Sequence, residues 1–578
     1  MNILVQNFDP SLANTDFFKS GNILLSQSPP NNMSSMLEEA LHNKCDTIVA
    51  LLRPQTGELK NWSKRLGKHV TVSYHIGTSD FDANFINHEI KLQSPTASGL
   101  AYCLQEIERK RSRELLSRMN TDRDSIDRVI IIGCGIVNLI TAFLLQSRGY
   151  KVVLFDAAPS PTAKWWQQGC TFGGEDARMF TLTEMDNYGR QDFQAAFNSP
   201  FGQRVSEGGW DIRNSRTCEE EALWKQQYDS IPSWLARSYN DDIFALNNEA
   251  RFGWDALRQH KVFSDPQVFI KDNILRLYSS EQHLHEAWQR HARLLTDVRL
   301  LDARRLVDTV PWVAPAVRSG LVVGGFFVPG FTVMVHKLGR RIISWLTEHG
   351  AQFVWNSEVK AAGVSSTVVK IATNHESHIF RDAHIVASVG AYGNELLRHT
   401  PWSAKIHGVL GCWARVELPR DICDVSMKLA RRGHIAEDTN ITVVRGDRGN
   451  TELVFGSGYG WTGRTPGNIN SSEFRCLTDG VVDTVTKFFG NKGSPPLKDD
   501  GGPFRLRYCV RPWTSTSLGI FGDVDHTSRN AFLVTGGHNT GGFAQAPATA
   551  EAVYCALRGR NHSMHIAYHP DRYESFFG

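Results

Sequence analysis

A glycine-rich turn that begins at Gly133 has the residue types needed to bind a phosphate group. The string GCGIVN stands between an apolar run, RVIIIG, and an apolar segment of helical pattern, LITAFLLQSRGY. Glycines there let the backbone approach a pyrophosphate, and the following helix directs its N–H groups and positive dipole end at that charge. Asp156 ends the next apolar run, KVVLFD, where a carboxylate accepts hydrogen bonds from a ribose diol. The sequence therefore predicts a dinucleotide site with these contacts: Gly133, Gly135, Ile136, Val137, Asn138, Asp156 and Ala157.

Asn138 departs from this motif, which has Gly or Ala at its third position. Because Asn is bulkier at a contact between helix and strand, we expect looser packing there or a side chain turned toward a ligand. The motif alone does not choose between FAD and NAD.

A second glycine-rich segment lies near the C-terminus, where GGHNTGGFAQAPATAEAVYCAL follows the buried-strand run AFLVT. Its glycines leave room for a flat ring, and the N-terminus of the helix that follows can stabilise negative charge on a reduced flavin. His538 could tune such a ring or touch a substrate, and it could equally be a hydrogen-bonding loop residue. The cofactor contacts predicted in this loop are Gly537, His538, Asn539, Thr540, Gly541 and Gly542.

The sequence patterns of the segments on both sides of these turns predict an α/β (α+β) protein. Strand, turn, helix and strand within about thirty residues make a βαβ unit, which requires a parallel sheet. The segments VLGCWARVEL, ITVVRG and TELVFGSGYGW alternate as in an antiparallel sheet with one face toward solvent or a ligand. Residues 1–120 alternate short β-like runs with one helix, MSSMLEEALHN, and the charged segment LQEIERKRSRELLSRM is expected to be a solvated connector.

The predicted architecture is a Rossmann-like FAD-binding domain with an interleaved antiparallel-sheet substrate domain and a small N-terminal α/β unit. The predicted boundaries are 1–120 for the N-terminal unit; 121–200, 321–400 and 505–578 for the FAD-binding parts; and 201–320 and 401–504 for the substrate parts.

Composition narrows the class of protein. Lys plus Arg (63) and Asp plus Glu (60) nearly balance, which argues against a nucleic-acid partner. No apolar stretch approaches the length of about eighteen residues that a membrane span needs. The ten cysteines form no CxxC pair, so neither a metal site nor a disulfide framework is predicted, and a cytoplasmic location is expected.

Several separated segments, taken in order, resemble the D-amino-acid oxidase/glycine oxidase (DAO) family of FAD-dependent oxidoreductases over roughly residues 126–578. They are GCGIVNLITAFLLQSRGYKVVLFD, GGFFVPGFTVMVHKLGRRIISWLTEHGAQFVWNSEV, HIVASVGAYGNELL, TELVFGSGYGW, CVRPWTSTSLGIFGD and FLVTGGHNTGGFAQAPATA. The departures are Asn138, the additional N-terminal unit and a long middle segment without clear correspondence. The resemblance implies FAD as cofactor, with further contacts from Val359, Gly390, Gly173 and Gly174.

The resemblance also implies the reaction, which is hydride transfer from an amine carbon to FAD. The imine product then hydrolyses, and O2 or another acceptor takes the electrons. Arg511 of the "RP" segment is implied to bind a substrate carboxylate, with a structural ion pair as the alternative. Arg178 is a second possible anion contact, Tyr459 and Tyr392 could orient an amine, and Cys170 could attach the flavin covalently.

Two other functions stay open at this stage. One is a flavin monooxygenase that uses NAD(P)H and O2, and the other is a non-catalytic flavoprotein whose N-terminal unit recruits a partner. The N-terminal unit could equally be a dimerisation surface or a lid, and the oligomeric state is left open. The long Trp-rich middle region suggests a substrate larger than glycine, such as an N-substituted amino acid or a biosynthetic intermediate.

Overall fold

A computed structural model describes most of the chain. The described residues are 2–7, 12, 15–18, 21–28, 32–50, 64–65, 71–73, 96–116, 121–160, 179–185, 200–295, 297–365, 367–418, 423–446, 449–490 and 506–577. The sequence-predicted contacts Gly173, Gly174, Arg178 and Cys170 lie outside these residues.

The described strands and helices are numbered here in chain order. The strands are β1 (Ile3–Val5), β2 (Ile23–Leu25), β3 (Thr47–Val49), β4 (Thr71–Ser73), β5 (Arg128–Ile132), β6 (Lys151–Phe155), β7 (Met179–Thr181), β8 (Lys271–Tyr278), β9 (Leu301–Asp302), β10 (Gly324–Thr332), β11 (Gln352–Val354), β12 (Val359–Val364), β13 (Val368–Thr373), β14 (Ser377–Arg381), β15 (His384–Ala387), β16 (Ile406–Glu417), β17 (Ser426–Ala430), β18 (Asp438–Arg445), β19 (Thr451–Gly463), β20 (Arg507–Thr514), β21 (Ile520–Asp523) and β22 (Phe532–Gly536). The α-helices are α1 (Met33–His42), α2 (Ala97–Glu114), α3 (Ile136–Ser147), α4 (Glu219–Ser230), α5 (Ser233–Leu257), α6 (Glu281–Leu294), α7 (Ala303–Thr309), α8 (Ala314–Arg318), α9 (Val335–Glu348), α10 (Asn394–Leu397), α11 (Ser471–Phe488), α12 (Gly542–Leu557), α13 (Ser563–Ala567) and α14 (Arg572–Phe577).

The first predicted glycine turn lies at one end of a six-stranded sheet of order β11-β6-β5-β15-β22-β21. Neighbouring strands in it are parallel except β21, which pairs antiparallel with β22. Alternate residues of β5 enter two different cores: Val129 and Ile131 pack with α3 and α12, and Ile130 and Ile132 pack with the sheet β12-β13-β14. Burial on both faces explains why these strands are continuous apolar runs.

A larger mixed sheet forms the second layer and carries the predicted substrate residues. Its order is β20-β16-β19-β18-β17-β8-β10-β7, with β9 added on β10. The pairs from β20 to β17 are antiparallel, as the alternating pattern predicts, and β17 pairs parallel with β8. Every residue of β19 is buried, so neither face is open to solvent there. Helix α11 covers one face through residues such as Phe474 and Val481, which pack against Phe455 of β19.

The N-terminal unit has a parallel sheet of order β2-β1-β3-β4, with α1 packed against it. The charged helix α2 has one buried face, which corrects the prediction that this segment is a solvated connector. Glu108 in α2 is 0% exposed because the Arg572 guanidinium donates two hydrogen bonds to its carboxylate, at 2.6 and 2.8 Å. Helix α2 is therefore part of the core that it shares with α5 and α14.

The observed architecture confirms the predicted fold class. A Rossmann-type parallel sheet and an antiparallel-rich sheet alternate along the chain, and a small α/β unit precedes them. Within the described residues, no helix combines the length and the apolar character that crossing a membrane requires.

Candidate active site

A cavity of about 590 Å³ lies between the parallel sheet and the mixed sheet. Its volume is in the range that small-molecule sites occupy. It brings together most of the contacts predicted from separate parts of the sequence: Gly133, Gly135, Ile136, Val137, Asn138, Asp156, Ala157, Val359, Gly390, Tyr459, Arg511, His538, Asn539, Thr540 and Gly542. The N-termini of α3 and α12 both reach this cavity, so two positive helix ends face it.

The first glycine turn is shaped by close backbone packing on one side and open space on the other. Gly133 has φ +93°, and a Cβ built on it would lie 2.6 Å from the Ser388 carbonyl oxygen of the neighbouring strand end. Gly135 caps α3 without a side-chain hydrogen bond, and a Cβ built there meets nothing within 4 Å. The turn thus leaves the first N–H groups of α3 free to bind an anion in the cavity.

The Asn138 side chain lines the cavity and is held by hydrogen bonds to the backbone. Its Nδ2 donates to the carbonyl oxygens of Ile132, at 2.9 Å, and Gly133, at 2.8 Å, which ties the helix to the strand end and the turn. The side chain is 1% exposed, and its Oδ1 has no hydrogen-bond partner among the described residues. Asn138 therefore replaces the close contact of a small residue with two hydrogen bonds.

Asp156 lies at the end of β6, where the motif places a ribose-binding carboxylate. Its Oδ2 accepts a hydrogen bond from the Cys134 backbone N–H, and its Oδ1 accepts one from Ala158 N–H at 2.7 Å. Burial raises the pKa of Asp156, and the two N–H donors oppose this rise. Because each carboxylate oxygen has further lone pairs, Asp156 can accept hydrogen bonds from a ligand diol while it holds the turn.

The C-terminal loop places an unusual histidine in the cavity. His538 is 3% exposed, and neither ring nitrogen has a hydrogen-bond partner among the described residues. Burial lowers the pKa of His538 to about 4, so the ring is neutral at neutral pH. Buried polar groups without protein partners are expected to be satisfied by a ligand or water. Gly537 and Gly541 lie in the same loop but outside the cavity lining, and their cofactor contacts stay predictions.

Arg511 and Tyr459 meet on the mixed sheet at the opposite wall of the cavity. The Arg511 guanidinium donates to the backbone carbonyls of Val409, at 3.3 Å, Leu410, at 3.2 Å, and Gly458. It lies 5.0 Å from the centre of the Tyr459 ring, which stacks on Trp210. No described carboxylate forms an ion pair with Arg511, so the structural ion pair considered above is absent from the described part of the chain. The carbonyls fix the orientation of the guanidinium and leave one nitrogen, Nη1, for an anion.

Other polar side chains of this wall were missed by sequence reasoning. Glu184, Lys428, Asn440 and Ser457 all line the cavity. The Lys428 Nζ donates to Glu184 Oε2 at 3.5 Å, and these two residues are 244 positions apart in the chain. The alternation in β17 could have indicated that Lys428 lies on the face opposite Met427 and Leu429, but not what it faces.

The donor set of the cavity suits an organic cofactor more than a metal. In the described ranges, no group of three or more His, Cys, Asp or Glu side chains is arranged to hold a metal ion. The open space at Gly135 and Gly390, the two helix N-termini, and the unpartnered atoms of Asn138 and His538 together fit an extended dinucleotide with a flat ring.

Comparisons with known proteins agree with this geometry. The family model described as "FAD dependent oxidoreductase" (DAO) matches residues 128–555. A D-amino acid dehydrogenase from Vibrio atlanticus (strain LGP32) is 22% identical over 299 residues, which cover 49% of this chain and 66% of the relative. Among solved structures, glycine oxidase from Geobacillus kaustophilus gives a TM-score of 0.51 at 16% identity and covers 76% of this chain and 95% of its own. L-proline dehydrogenase from P. horikoshii gives 0.50 at 15% identity, with 78% and 98% covered.

The two kinds of comparison support different statements. The structural neighbours are similar to this chain in fold, since their sequence identities are low. The family model extends over more than half of the chain, from the first strand of the parallel sheet to the helix after the C-terminal loop. This chain therefore belongs to the DAO family of FAD-dependent oxidoreductases, and it is an enzyme whose cofactor is FAD.

Proposed function

We propose that this enzyme oxidises a carbon–nitrogen bond of an amino acid or a related amine that carries a carboxylate. The observation that supports this most directly is the position of the Arg511 guanidinium. It lines the cofactor cavity, and its described hydrogen bonds are all to backbone carbonyls. Arginine suits carboxylate binding because its planar donors match the two carboxylate oxygens. The printed names of the relatives, D-amino acid dehydrogenase, glycine oxidase and L-proline dehydrogenase, agree with a substrate of this class.

The residues of the parallel sheet would hold the cofactor. The N–H groups at the start of α3 would bind its pyrophosphate and Asp156 its ribose, and the N-terminus of α12 would face the ring. When bound, FAD would accept a hydride, which carries two electrons, from the amine carbon. The substrate would lose this hydride from carbon and a proton from nitrogen, and water would then hydrolyse the imine to a carbonyl compound and an amine or ammonia.

The mixed sheet would hold the substrate against that ring. Arg511 fixes one end of the molecule, and Tyr459 provides an aromatic wall that stacking on Trp210 makes rigid. Trp513, which is fully buried, contacts the Tyr459 ring edge-on and helps to exclude water from this end. His538 enters the cavity as a neutral ring and so adds no positive charge that would repel an ammonium group.

The test is an absorption spectrum of the purified protein, followed by anaerobic addition of amino acids and of the amines that lack only the carboxylate. We expect flavin bands that bleach with one class of amino acid. In Arg511→Met the half-saturating concentration of that amino acid should rise about ten- to hundredfold, since a hydrogen-bonded charge pair is lost. The matched amine should react with wild type and variant alike.

Two outcomes would contradict the proposal. Flavin that bleaches with NAD(P)H and with no amine would indicate a monooxygenase. An Arg511→Met variant that reacts with the amino acid as wild type does would remove Arg511 from substrate binding. The control is Arg511→Lys, which keeps the charge, loses the planar fork and should have an intermediate affinity.

We also propose that the substrate is larger than glycine and belongs to a biosynthetic pathway. The cavity extends along the mixed sheet from Arg511 to Lys428, which is more than a two-carbon amino acid needs. Rapid flavin reduction by glycine or sarcosine, with none by bulkier amino acids, would contradict this.

A further inference from the structure

A second polar site lies on the mixed sheet, away from Arg511. Lys428 in β17 is in register with Asn440 in β18, and Asn440 is in register with Gly456 in β19. Residues in register on neighbouring strands point to the same face, and all three line the cavity. Gly456 has no side chain, so the polar groups on this part of the cavity wall are those of Lys428 and Asn440.

The charges at this site leave one positive charge uncompensated. Lys428 and Arg276, which are in register on β17 and β8, flank one carboxylate, that of Glu184. Lys428 Nζ is 3.5 Å from it and Arg276 Nη2 is 3.8 Å from it, while Thr181 Oγ1 donates to it at 3.0 Å. Both ion-pair distances are long for hydrogen-bonded partners, and Glu184 has one charge for two cations.

A second carboxylate of this wall, that of Asp438, belongs to the same count of charges. It lies two positions along β18 from Asn440, in register with Ala430. Asp438, Arg290 and Arg432 all act on the charge of His283 on that side of the sheet. Arg432 forms an ion pair with Glu286 at 2.9 Å, so the cations left on this side are Lys428, Arg276 and Arg290, which exceed the carboxylates of Glu184 and Asp438 by one formal charge.

The site also has hydrogen-bonding capacity that the described protein does not use. Lys428 has three N–H donors and one described acceptor, Glu184. Asn440 Oδ1 is buried and has no hydrogen-bond partner among the described residues. Such atoms are expected to bond to a ligand or to ordered water.

The sheet itself gives the distance between this site and Arg511. The Arg511 guanidinium donates to the carbonyl of Gly458 in β19, two residues beyond Gly456. Lys428 lies two strands away from Gly456, by way of Asn440. With about 4.8 Å per strand and 3.3 Å per residue, the two anchor points are roughly 10–12 Å apart.

We propose that the substrate carries a second anionic group, which Lys428 binds with help from Asn440, while Arg511 binds the first carboxylate. The inference rests on the proposed function for the role of Arg511. The substrate class is then an amino acid extended by a second carboxylate or a comparable anion, roughly eight to ten bonds from the first, at about 1.2 Å per bond. Glu184, which Arg276 flanks on its other side, would position the Lys428 ammonium.

The experiment measures binding without turnover, so that it does not depend on the reaction. Unbranched dicarboxylic acids from four to twelve carbons, and the monocarboxylic acids of the same length, are titrated into the holoenzyme by calorimetry. These acids contain no C–N bond. We expect the dicarboxylate to bind about tenfold more tightly than its matched monocarboxylate at nine to eleven carbons, with a smaller ratio for shorter acids. A ratio below threefold at every length would overturn the inference.

The variant Lys428→Gln tests whether Lys428 causes the preference for the dicarboxylic acid over its matched monocarboxylic acid. It should lower the ratio below threefold, whereas Lys370→Gln, at an exposed lysine of β13, should leave it unchanged. If Lys428→Gln does not retain flavin, Asn440→Ala is used instead, and it should lower the ratio at least threefold. A variant of either residue that folds and keeps the wild-type ratio overturns the inference, because the ion pair is then structural. If the ratio behaves as expected but no amino acid reduces the flavin, only the proposed function fails.

Discussion

Substitution of Gly133 by alanine tests two requirements of the dinucleotide turn, namely a positive φ and a close contact with the neighbouring strand end. At φ +93° an alanine is strained by about 1–2 kcal/mol. In addition its Cβ would lie 2.6 Å from the Ser388 carbonyl oxygen, so the turn must move by roughly half an ångström. Both effects destabilise the protein, and the displacement also misplaces the N–H groups of α3. We expect the affinity for FAD to fall at least tenfold, since a misplaced hydrogen bond to the charged pyrophosphate costs about 1.5–3 kcal/mol.

Two other glycines of the same unit provide matched controls. Gly149, just after α3, has φ +92°, and a Cβ built there meets nothing within 4 Å. Gly149→Ala should therefore cost the same 1–2 kcal/mol of strain and leave FAD affinity unchanged. Gly135 has φ −66° and ψ 166°, which alanine adopts without strain, and its Cβ would enter the cavity.

Gly135→Ala should affect the cofactor alone. In the apoprotein, a poorer helix cap and a less flexible unfolded chain nearly cancel, so the free energy of unfolding should stay within about 0.5 kcal/mol of wild type. The added methyl group lies where the pyrophosphate must approach the backbone, and the Kd for FAD should rise at least tenfold.

The assay measures two quantities on each deflavinated variant, the free energy of unfolding in urea and the Kd for FAD from quenching of flavin fluorescence. Gly133→Ala should lose both stability and FAD affinity. Gly149→Ala should lose stability and keep its affinity, whereas Gly135→Ala should lose affinity and keep its stability. A Gly135→Ala variant that binds FAD like wild type would show that the pyrophosphate does not approach this turn. Equal loss of affinity in Gly149→Ala and Gly133→Ala would show that general strain, and not the Ser388 contact, is responsible.

Three further predictions concern buried polar groups. Arg572→Met removes the two hydrogen bonds that the buried Glu108 carboxylate accepts from the guanidinium and leaves it with the one from Ser112. This should lower the free energy of unfolding by about 3–5 kcal/mol, and the double variant with Glu108→Leu should recover part of this loss in urea titrations. Burial lowers the pKa of His538 to about 4. As the pH falls below about 6.5, this histidine is protonated in the unfolded chain but not in the folded protein, so the free energy of unfolding decreases. Between pH 7 and 5, His538→Gln should make that decrease smaller by about 2 kcal/mol in the apoprotein. Asn138→Leu removes both hydrogen bonds between helix and strand end and should cost about 1–3 kcal/mol, measured by thermal unfolding, while Asn138→Ser should cost less.

The cofactor half of the site could be predicted from sequence because its determinants are local. Gly133, Gly135 and Asp156 lie within one βαβ unit, whose strands and helix have strong patterns of their own. The geometry that the motif requires is thus set by short-range connections. Asn138 shows the limit of this reasoning, because its identity departed from the motif while its hydrogen bonds to Ile132 and Gly133 preserve the contact between helix and strand.

The N-terminal unit shows why charge patterns alone mislead about burial. Helix α2 has the alternating charges of a solvated helix, yet Glu108 in it is fully buried. Its partner, Arg572, is 464 positions away and lies in a helix of the C-terminal end. A charge pattern describes one helix. Whether that helix packs against a complementary charge depends on contacts between residues that are far apart in the sequence.

The substrate half of the site is harder to predict because it depends on register across strands that are far apart in sequence. Lys428 comes beside Arg276 only because β17 pairs parallel with β8, and a shift of one residue would turn its side chain to the opposite face. The carboxylate between them comes from Glu184, after the short strand β7 at the other end of the same sheet. Strand patterns predict that such residues alternate, but they do not predict which residues of different strands meet. The residues that we propose for substrate binding are therefore brought together by the pairings of the mixed sheet, which the strand patterns alone do not specify.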